Sequence, residues 1–377
     1  MLKDTVAVID VGSSKITGMI GENGVNNNYV IRAHCEFPTF ALGGAAGEVD
    51  NPEELRRAIL NVLSSMENSA RAKITKIYFG VPGDFLTIRN SSLQMYLNRA
   101  RKLKQKEVDD YLLSAKKPLV VPNYELISQS GVQYFLDGQK KVTRLTGNVT
   151  ASITGLTTFY FAKQAFTKVV RDALTSAGVK QIEFVPVPLA ESLLLFDENE
   201  RFGFEILVDV GSSVTNLAVI YGGGILYNVG LNMGGGYISG YLMQRLNLPS
   251  YDLAERIKRK LNLTIPADYN GIYEVTDGDN MFRYSQRSCN EVAEYVLTEL
   301  AEMIDNSLKE SNVRLPGGLN ISLTGGGVAY VRGAKEFLFN AVEIPINVVC
   351  PKISYMAKPE ETSKIAVLDY ALNFKGV

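Results

Sequence analysis

Asp10-Val-Gly-Ser-Ser14 returns as Asp209-Val-Gly-Ser-Ser213, about half a chain later. Each copy closes an apolar, β-rich run: Val6-Ala-Val-Ile-Asp10 in the first, Glu205-Ile-Leu-Val-Asp209 in the second. A second β-type run follows each, Ile16–Ile20 and Val214–Ile220, and then a Gly-rich turn, Gly21–Gly24 and Gly222–Gly224. A strand, a tight Gly-Ser turn and a returning strand predict a hairpin whose tip turns backbone amides and hydroxyls outward. Amides oriented in this way form a concavity for anions. Two such tips in one chain predict two related halves that grip one polyphosphate between them.

With 377 residues the chain exceeds the usual single-core size, so two or more domains are expected. A net charge of −1 provides no bulk attraction for nucleic acid or an anionic membrane. Cys35, Cys289 and Cys350 lie far apart without a CxxC pair and read as reduced thiols. Met1-Leu-Lys-Asp-Thr5 runs straight into a strand, which predicts no signal peptide, and no apolar run is long enough to span a membrane. His34 is the only histidine, which excludes a His-based triad and a His-rich metal site.

Residues 5–20 and 28–36 read as strands. Asn51-Pro52-Glu53 predicts a helix start with cap, Pro and acids in order, and Leu55, Ala58, Ile59, Val62 and Leu63 follow at helical spacing. Ile74–Val81 predicts a strand. From 84 to 156 the character changes. Arg101–Lys117 predicts a charged amphipathic helix, and Val132–Leu136 with Lys141–Arg144 predicts a hairpin around Asp137-Gly138. This stretch lacks a phosphate-type loop and reads as an insert for contacts. Thr157–Ala177 predicts a helix stopped by Gly178, Ile182–Val187 a strand, and Pro188 opens another helix. Later helices are predicted at Tyr237–Leu246, Ser250–Leu261, Ser288–Leu308 (with Ser288 and Glu291 as a capping box), Val328–Ala341 and Thr362–Phe374, and a strand at Leu319–Leu323. The repeated order of strands, hairpin and helices is an α/β pattern, with central sheets covered by helices.

Four glycine-bearing elements carry the candidate chemistry. Asp10 and Asp209 are placed to hold Mg²⁺ through water, since Mg²⁺ keeps much of its hydration and takes few carboxylates. Gly12, Ser13 and Ser14, with Gly211, Ser212 and Ser213, would take phosphate oxygens, and Lys15 would add charge. Gly325, Gly326 and Gly327, after the predicted strand, let backbone approach a flat base or ribose where a Cβ would collide. Gly234, Gly235 and Gly236 precede a helix, a position that suits anions through the helix dipole. Glu255 and Lys258 share a helix face, which fits either ribose hydroxyls or a plain solvated pair.

Phosphate hairpin, second phosphate hairpin and adenosine glycines, in that order, resemble the actin-like ATPase superfamily. Within it the chain is most similar to the FtsA family of bacterial cell-division proteins, over nearly its whole length. Gly43-Gly-Ala-Ala-Gly-Glu-Val-Asp50 is similar to that family's Gly-rich turn. Gln133-Tyr134 and Leu145-Thr-Gly147 resemble its 1C insert, Ala254-Glu255-x-x-Lys258 its A-E-x-x-K helix, and Leu315-Pro-Gly-Gly-Leu319 with Leu323–Gly327 its adenosine region. The resemblance implies an actin-like fold of two related halves around a nucleotide cleft: 1A over 1–83 and 157–203, 1C over 84–156, 2A over 204–245 and 316–377, and 2B over 246–315. It also implies bound ATP and Mg²⁺, self-assembly into filaments, and binding of the C-terminal tail of the tubulin-like FtsZ. Arg283 and Arg287 are the residues it places at that acidic tail; as plain sequence they read equally as exposed arginines.

FtsA proteins reach the membrane through a C-terminal amphipathic helix, whereas this sequence stops at Val377. The expected location is cytoplasmic, at the inner face of the cell membrane at the division site, with direct membrane contact only if a tail follows. Pro186-Val-Pro188 occupies the stretch where the superfamily often orients an attacking water, and Val187 cannot do so, which implies slow or negligible hydrolysis. A PilM-like scaffold that binds a peptide of an inner-membrane partner is the alternative. A sugar-kinase-type phosphotransferase would need an aspartate base facing a substrate, and the sequence offers no clear candidate.

Overall fold

The computed structural model describes residues 5–376 apart from 26, 27, 43, 267, 269, 279, 354 and 375. Gly43 of the Gly-rich turn and the terminal Val377 therefore lie outside the described residues. The chain divides into two units, Met1–Glu205 with Ala218–Asn228 and Ser363–Val377, and Ile206–Leu217 with Val229–Thr362.

In the first unit β1 (Val6–Val11), β2 (Lys15–Asn23) and β3 (Tyr29–Pro38) form an antiparallel meander. The helix α1 (Pro52–Ala70) then leads to β4 (Lys76–Val81), parallel to β1. Asn51 caps α1 as expected, its side chain accepting from the Glu54 amide at 3.0 Å, with Pro52 at the first helical position. Buried Leu55, Ile59, Val62 and Met66 line its inner face. Gly18 of β2 lets the helix come this close, since a Cβ there would lie 2.4 Å from both the Met66 sulfur and a Val62 methyl.

The chain next builds a second sheet from β5 (Leu86–Lys102), α2 (Gln105–Lys116), β6 (Tyr124–Leu136), β7 (Lys140–Val142) and β8 (Val149–Lys163), in the order β5-β8-β6-β7. Val108, Tyr111 and Leu112 of α2 cover one face, against Leu103, Tyr134, Leu136, Leu145 and Ile153. Two expectations shift here. Arg101 and Lys102 belong to a strand, so the helix starts only at Gln105. Thr157–Lys163, expected as helix, continues β8, because its β-branched and aromatic residues suit a strand with both faces covered. Helix begins after it with α3 (Gln164–Ser176), followed by β9 (Gln181–Pro186), parallel to β4, then α4 (Val187–Leu195) and α5 (Glu198–Phe202). The first sheet thus reads β3-β2-β1-β4-β9.

The plan then repeats. β10 (Glu205–Val210), β11 (Thr215–Tyr221) and β12 (Gly224–Leu231) are the second meander, and the unit division falls within β11 and β12. Next come α6 (Gly235–Leu246), α7 (Tyr251–Lys258), the hairpin β13 (Ile272–Asp277) and β14 (Asn280–Ser285), and α8 (Gln286–Glu310). β15 (Ile321–Thr324) lies parallel to β10, and after α9 (Ala334–Val342), β16 (Ile346–Val348) lies parallel to β15. The sheet order β12-β11-β10-β15-β16 matches the first sheet, strand for strand. The cap of α8 is Ser285, which accepts from the Ser288 amide, so the helix starts one turn before the expected box. The last helix, α10 (Thr362–Asn373), returns to the first unit, where Val367 and Leu368 crowd Gly80 and Gly21.

The turn between β11 and β12 is tightly docked on β6 within the first unit. The Gly223 amide donates to the Val132 carbonyl at 3.1 Å. A Cβ on Gly222 would fall 2.0 Å from that same carbonyl oxygen, and one on Gly223 2.4 Å from the Gly131 carbonyl. No helix among the described residues is long and apolar enough to cross a membrane.

Candidate functional site

The repeated pentapeptide makes the same turn twice. The Gly12 amide donates to the Lys15 carbonyl at 2.8 Å, and the Gly211 amide to the Val214 carbonyl at 3.0 Å. Each turn places an aspartate at the end of a central strand and a Gly-Ser-Ser tip beyond it.

In the first unit Asp10 is buried, and its Oδ2 accepts from the Ser363 hydroxyl at 2.7 Å. Burial pushes its carboxyl above the usual range, against the Ser363 hydrogen bond and the charges of Lys364 and Lys15. Ser13 is half-buried and Ser14 exposed, its carbonyl accepting from the Thr39 amide at 3.1 Å. Lys15 extends toward Glu36, with Nζ 3.0 Å from each carboxylate oxygen. The buried Lys364 reaches the same carboxylate at 2.6 Å, and His34 stands 3.5 Å from it. Burial alone would raise Glu36, but the Lys364 and Lys15 hydrogen bonds and charges outweigh it and hold the carboxyl at about 2.

That shift has a definite sign. A carboxyl held below its free value stabilises the fold above pH ~4.5, and the stabilisation is lost as pH falls toward ~2. With a third of the side chain exposed, solvent screening leaves about 1–2 kcal/mol of it. Glu36→Gln should therefore lose about that much at pH 7 and show a flatter stability profile between pH 5 and pH 2 than the parent, by urea unfolding at each pH. An equally steep profile in the variant would remove Glu36 as its source.

In the second unit, three glycine loops meet through backbone alone. Gly235 and Gly236 donate their amides to the Gly211 and Ser212 carbonyls at 2.9 and 2.7 Å, and Gly327 donates to the Val210 carbonyl at 2.8 Å. A Cβ on Gly234 would come within 2.5 Å of the Ser212 carbonyl oxygen, on Gly235 within 1.9 Å of the Gly327 oxygen, and on Gly327 within 2.3 Å of the Gly211 oxygen. Gly325 has φ +87°, and its missing Cβ leaves room for Asp209 Oδ1 at 2.2 Å. These glycines join the second hairpin tip to the start of α6 and to the loop after β15. The amides of Gly235 and Gly236, expected to face an anion, are thus already donating to the hairpin. Gly326 is more open, with only Glu360 near it.

Glu255 and Lys258 are not a solvated pair. Lys258 is buried, its Nζ 2.8 Å from Glu255 Oε1 and 3.2 Å from the Gly235 carbonyl. Ser239 donates to the same Glu255 oxygen at 2.5 Å. Tyr251 completes the group: burial raises its phenol first, the Glu255 charge adds to this, and its hydroxyl is hydrogen-bonded with Ser212. The pair thus ties α7 to the start of α6 and to the second hairpin tip.

Arg283 and Arg287 separate. Arg283 is exposed and pairs across the β13–β14 hairpin with Glu274 at 2.9 Å. Arg287 pairs with Glu291 at 3.2 Å, and Glu291 also takes Arg245 at 3.0 Å. Arg245 belongs to the lining of a hollow of about 470 Å³ between α6 and α8, with Tyr241, Gln244, Val292 and Tyr295. Tyr241 and Tyr295 meet there edge to face. Neither Arg283 nor Arg287 lines this hollow; Arg287 is linked to its Arg245 through the shared Glu291. Ser363, Lys364, Glu36, Tyr251 and Ser239 were not singled out from the sequence. Ser363 sits 353 residues from Asp10, a separation no local pattern spans.

No family model matches the chain. It is similar to the cell division protein FtsA of Neisseria meningitidis serogroup B, 23% identical over 355 residues that cover 92% of this chain and 84% of that protein. It is likewise similar to FtsA of Bacillus subtilis, 22% identical over 372 residues, covering 96% and 82%. Among solved structures, the PilM–PilN type IV pilus biogenesis complex matches at TM-score 0.64 and 17% identity, with 98% of both chains covered. MreB5 of Spiroplasma citri bound to ADP matches at TM-score 0.56 and 11% identity, over 98% of this chain and 99% of that one. By sequence the chain resembles the FtsA proteins over nearly its whole length, and its fold is the actin-like fold.

Proposed function

We propose that this is an ATP-binding, actin-like protein of bacterial cell division that assembles into filaments and links FtsZ to the division machinery at the membrane. One observation supports the nucleotide reading above the others: the Asp-Val-Gly-Ser-Ser turn is made twice, closed by Gly12 on Lys15 and by Gly211 on Val214, with a Ser-Ser tip beyond each aspartate. Two hydroxyl-bearing turns of one design fit a polyphosphate, and the exposed Gly326 beyond β15 leaves room for a nucleoside. MreB5, of the same fold, was solved with ADP and with AMPPNP. Gly12, Ser13, Ser14, Lys15, Gly211, Ser212 and Ser213 would take phosphate oxygens, with Gly325–Gly327, Glu255 and Lys258 on the nucleoside side. No cluster of three acid, His or Cys side chains among the described residues could cage a metal, so a Mg²⁺ beside Asp10 or Asp209 would keep most of its water. Val187, at the start of the buried α4, offers no group to orient a water, and hydrolysis is slow in this reading.

Residues 84–156 would be the 1C insert and 246–315 the 2B region, with Arg287 and the α6–α8 hollow taking the acidic FtsZ tail. The second reading, a PilM-like scaffold, has the PilM–PilN structural match in its favour.

Calorimetry with Mg-ATP tests the proposal. The intact chain should bind, and Asp209→Ala should weaken binding about 10- to 100-fold, the loss of a charge-assisted contact. Absence of binding by the intact chain would sink the nucleotide reading and favour a scaffold. Affinity for an FtsZ C-terminal peptide, lowered about tenfold by Arg287→Ala, separates the division protein from the PilM-like alternative.

A further inference from the structure

We infer that the far end of the inserted sheet is a docking surface for an anionic lipid bilayer, independent of any C-terminal tail. Residues 84–156 hold eleven Lys and Arg against six Asp and Glu, in a chain whose net charge is −1. The excess is concentrated around the 144–149 turn, where three segments meet. Lys102 stands opposite Val149 in the β5–β8 register, and the Leu103 amide donates to the Asn148 carbonyl at 2.8 Å. Lys140 donates to Asn148 Oδ1 at 2.7 Å, and Asn148 Nδ2 donates to the Arg144 carbonyl at 2.9 Å. Gln105, between Lys104 and Lys106, accepts from the Thr146 hydroxyl at 3.1 Å. Lys102, Lys104, Lys106, Lys140 and Arg144 are therefore gathered at one end of the sheet, and all five are exposed.

What distinguishes them is that five exposed cations are gathered together with no ion pair among them. Elsewhere Lys15, Lys73, Lys168, Lys258, Lys309 and Lys364 each sit on a carboxylate. Among the described residues none of the five does. Of the acids nearby, Glu107 caps α2, pairs with Arg101 and also feels the charge of Lys104, Asp109 accepts from the Gln105 side chain, Asp110 is exposed on α2, and Asp137 holds the Ala151 and Ser152 amides, so that cations outnumber carboxylates at this end. At the centre of the group Val149 is 62% exposed. Long cationic side chains spread around an exposed apolar residue suit a flat, anionic surface with an apolar layer beneath it. An acidic peptide would have to be ordered against side chains that offer it no buried anchor, an entropic cost a bilayer does not meet.

The test is sedimentation of the full chain with phosphatidylcholine vesicles, with and without phosphatidylglycerol. Partitioning should require phosphatidylglycerol, fall with salt, and weaken about fivefold per cation removed, so that Lys102→Gln, Lys104→Gln, Lys140→Gln and Arg144→Gln together lose at least ~100-fold. Exposed Lys180, Lys335 and Lys352, changed to Gln, should alter it little, and matching melting curves establish that both variants fold. No binding to the anionic vesicles, or equal binding by the fourfold variant, overturns the proposal. So does tighter binding of an oligoglutamate peptide than of the vesicles, which would make the surface a peptide site.

Discussion

Gly235→Ala is expected to destabilise the second unit by at least ~3 kcal/mol, the severe end of single substitutions. The new Cβ would meet the Gly327 carbonyl oxygen at 1.9 Å, its carbon at 2.2 Å and its Cα at 2.4 Å. All three are backbone atoms, so no rotamer change can relieve the clash. Pushing the loops apart would strain two hydrogen bonds at once, Gly235 to Gly211 and Gly327 to Val210. The control lies in the same helix. Gly240 is exposed, and a Cβ there meets nothing within 4 Å. Gly240→Ala should stabilise the protein by about 0.5–1 kcal/mol through helix propensity. Urea unfolding of both variants therefore has opposite expected signs within one turn and a half of helix. If Gly235→Ala proves as mild as Gly240→Ala, the three-loop junction is not held as described.

Glu255→Ala is the second large effect, at about 2–3 kcal/mol. It would strand the Lys258 ammonium, whose side chain is only 9% exposed, with the Gly235 carbonyl as its remaining partner. A fully buried pair broken in this way costs about 3–5 kcal/mol, and the quarter exposure of Glu255 moderates the figure. Lys258→Met should cost only about 1 kcal/mol, because Glu255 keeps the Ser239 hydroxyl and some water. The double change should recover part of the Glu255→Ala loss, and that non-additivity is the measurement to make. Strictly additive losses would show that the two side chains do not depend on each other. Placed beside the second hairpin tip, this pair should also change nucleotide affinity if ribose lies near it; a stability loss without that change would assign it to scaffolding.

Much of this molecule was legible because its informative residues are local. Asp-Val-Gly-Ser-Ser specifies a strand end and a turn within five positions, and the duplicate hydrogen bond at Gly12 and Gly211 is what a repeated local code should produce. Asn51-Pro52 marked α1 for the same reason. Where the reading slipped, tertiary context decided. Thr157–Lys163 carries enough spaced apolar residues to pass for a helix, and it becomes strand because β5 and β6 flank it on both sides. The short strand β16 and the β13–β14 hairpin left too little periodicity to be noticed. The partners of Asp10 were unreadable in principle: Ser363 and Lys364 arrive from the other end of the chain, on a helix whose sequence says only that it is helical. Glycines gave a subtler lesson. Their clustering was visible, but whether a glycine faces a ligand or another stretch of main chain depends on what lies opposite, and at Gly235 that is Gly327.

The turn between β11 and β12 has a practical consequence for anyone attaching a reporter. With the Gly222 and Gly223 backbones seated on the carbonyls of Val132 and Gly131, that turn has no room for inserted residues, although a sequence of three glycines invites them. The Asp137-Gly138 turn is the permissive one: Gly138 has nothing within 4 Å, and both its neighbours are exposed. An internal fluorescent-protein fusion belongs after Gly138, where the insertion meets open space and opens only the turn bond from Gln139 to Leu136.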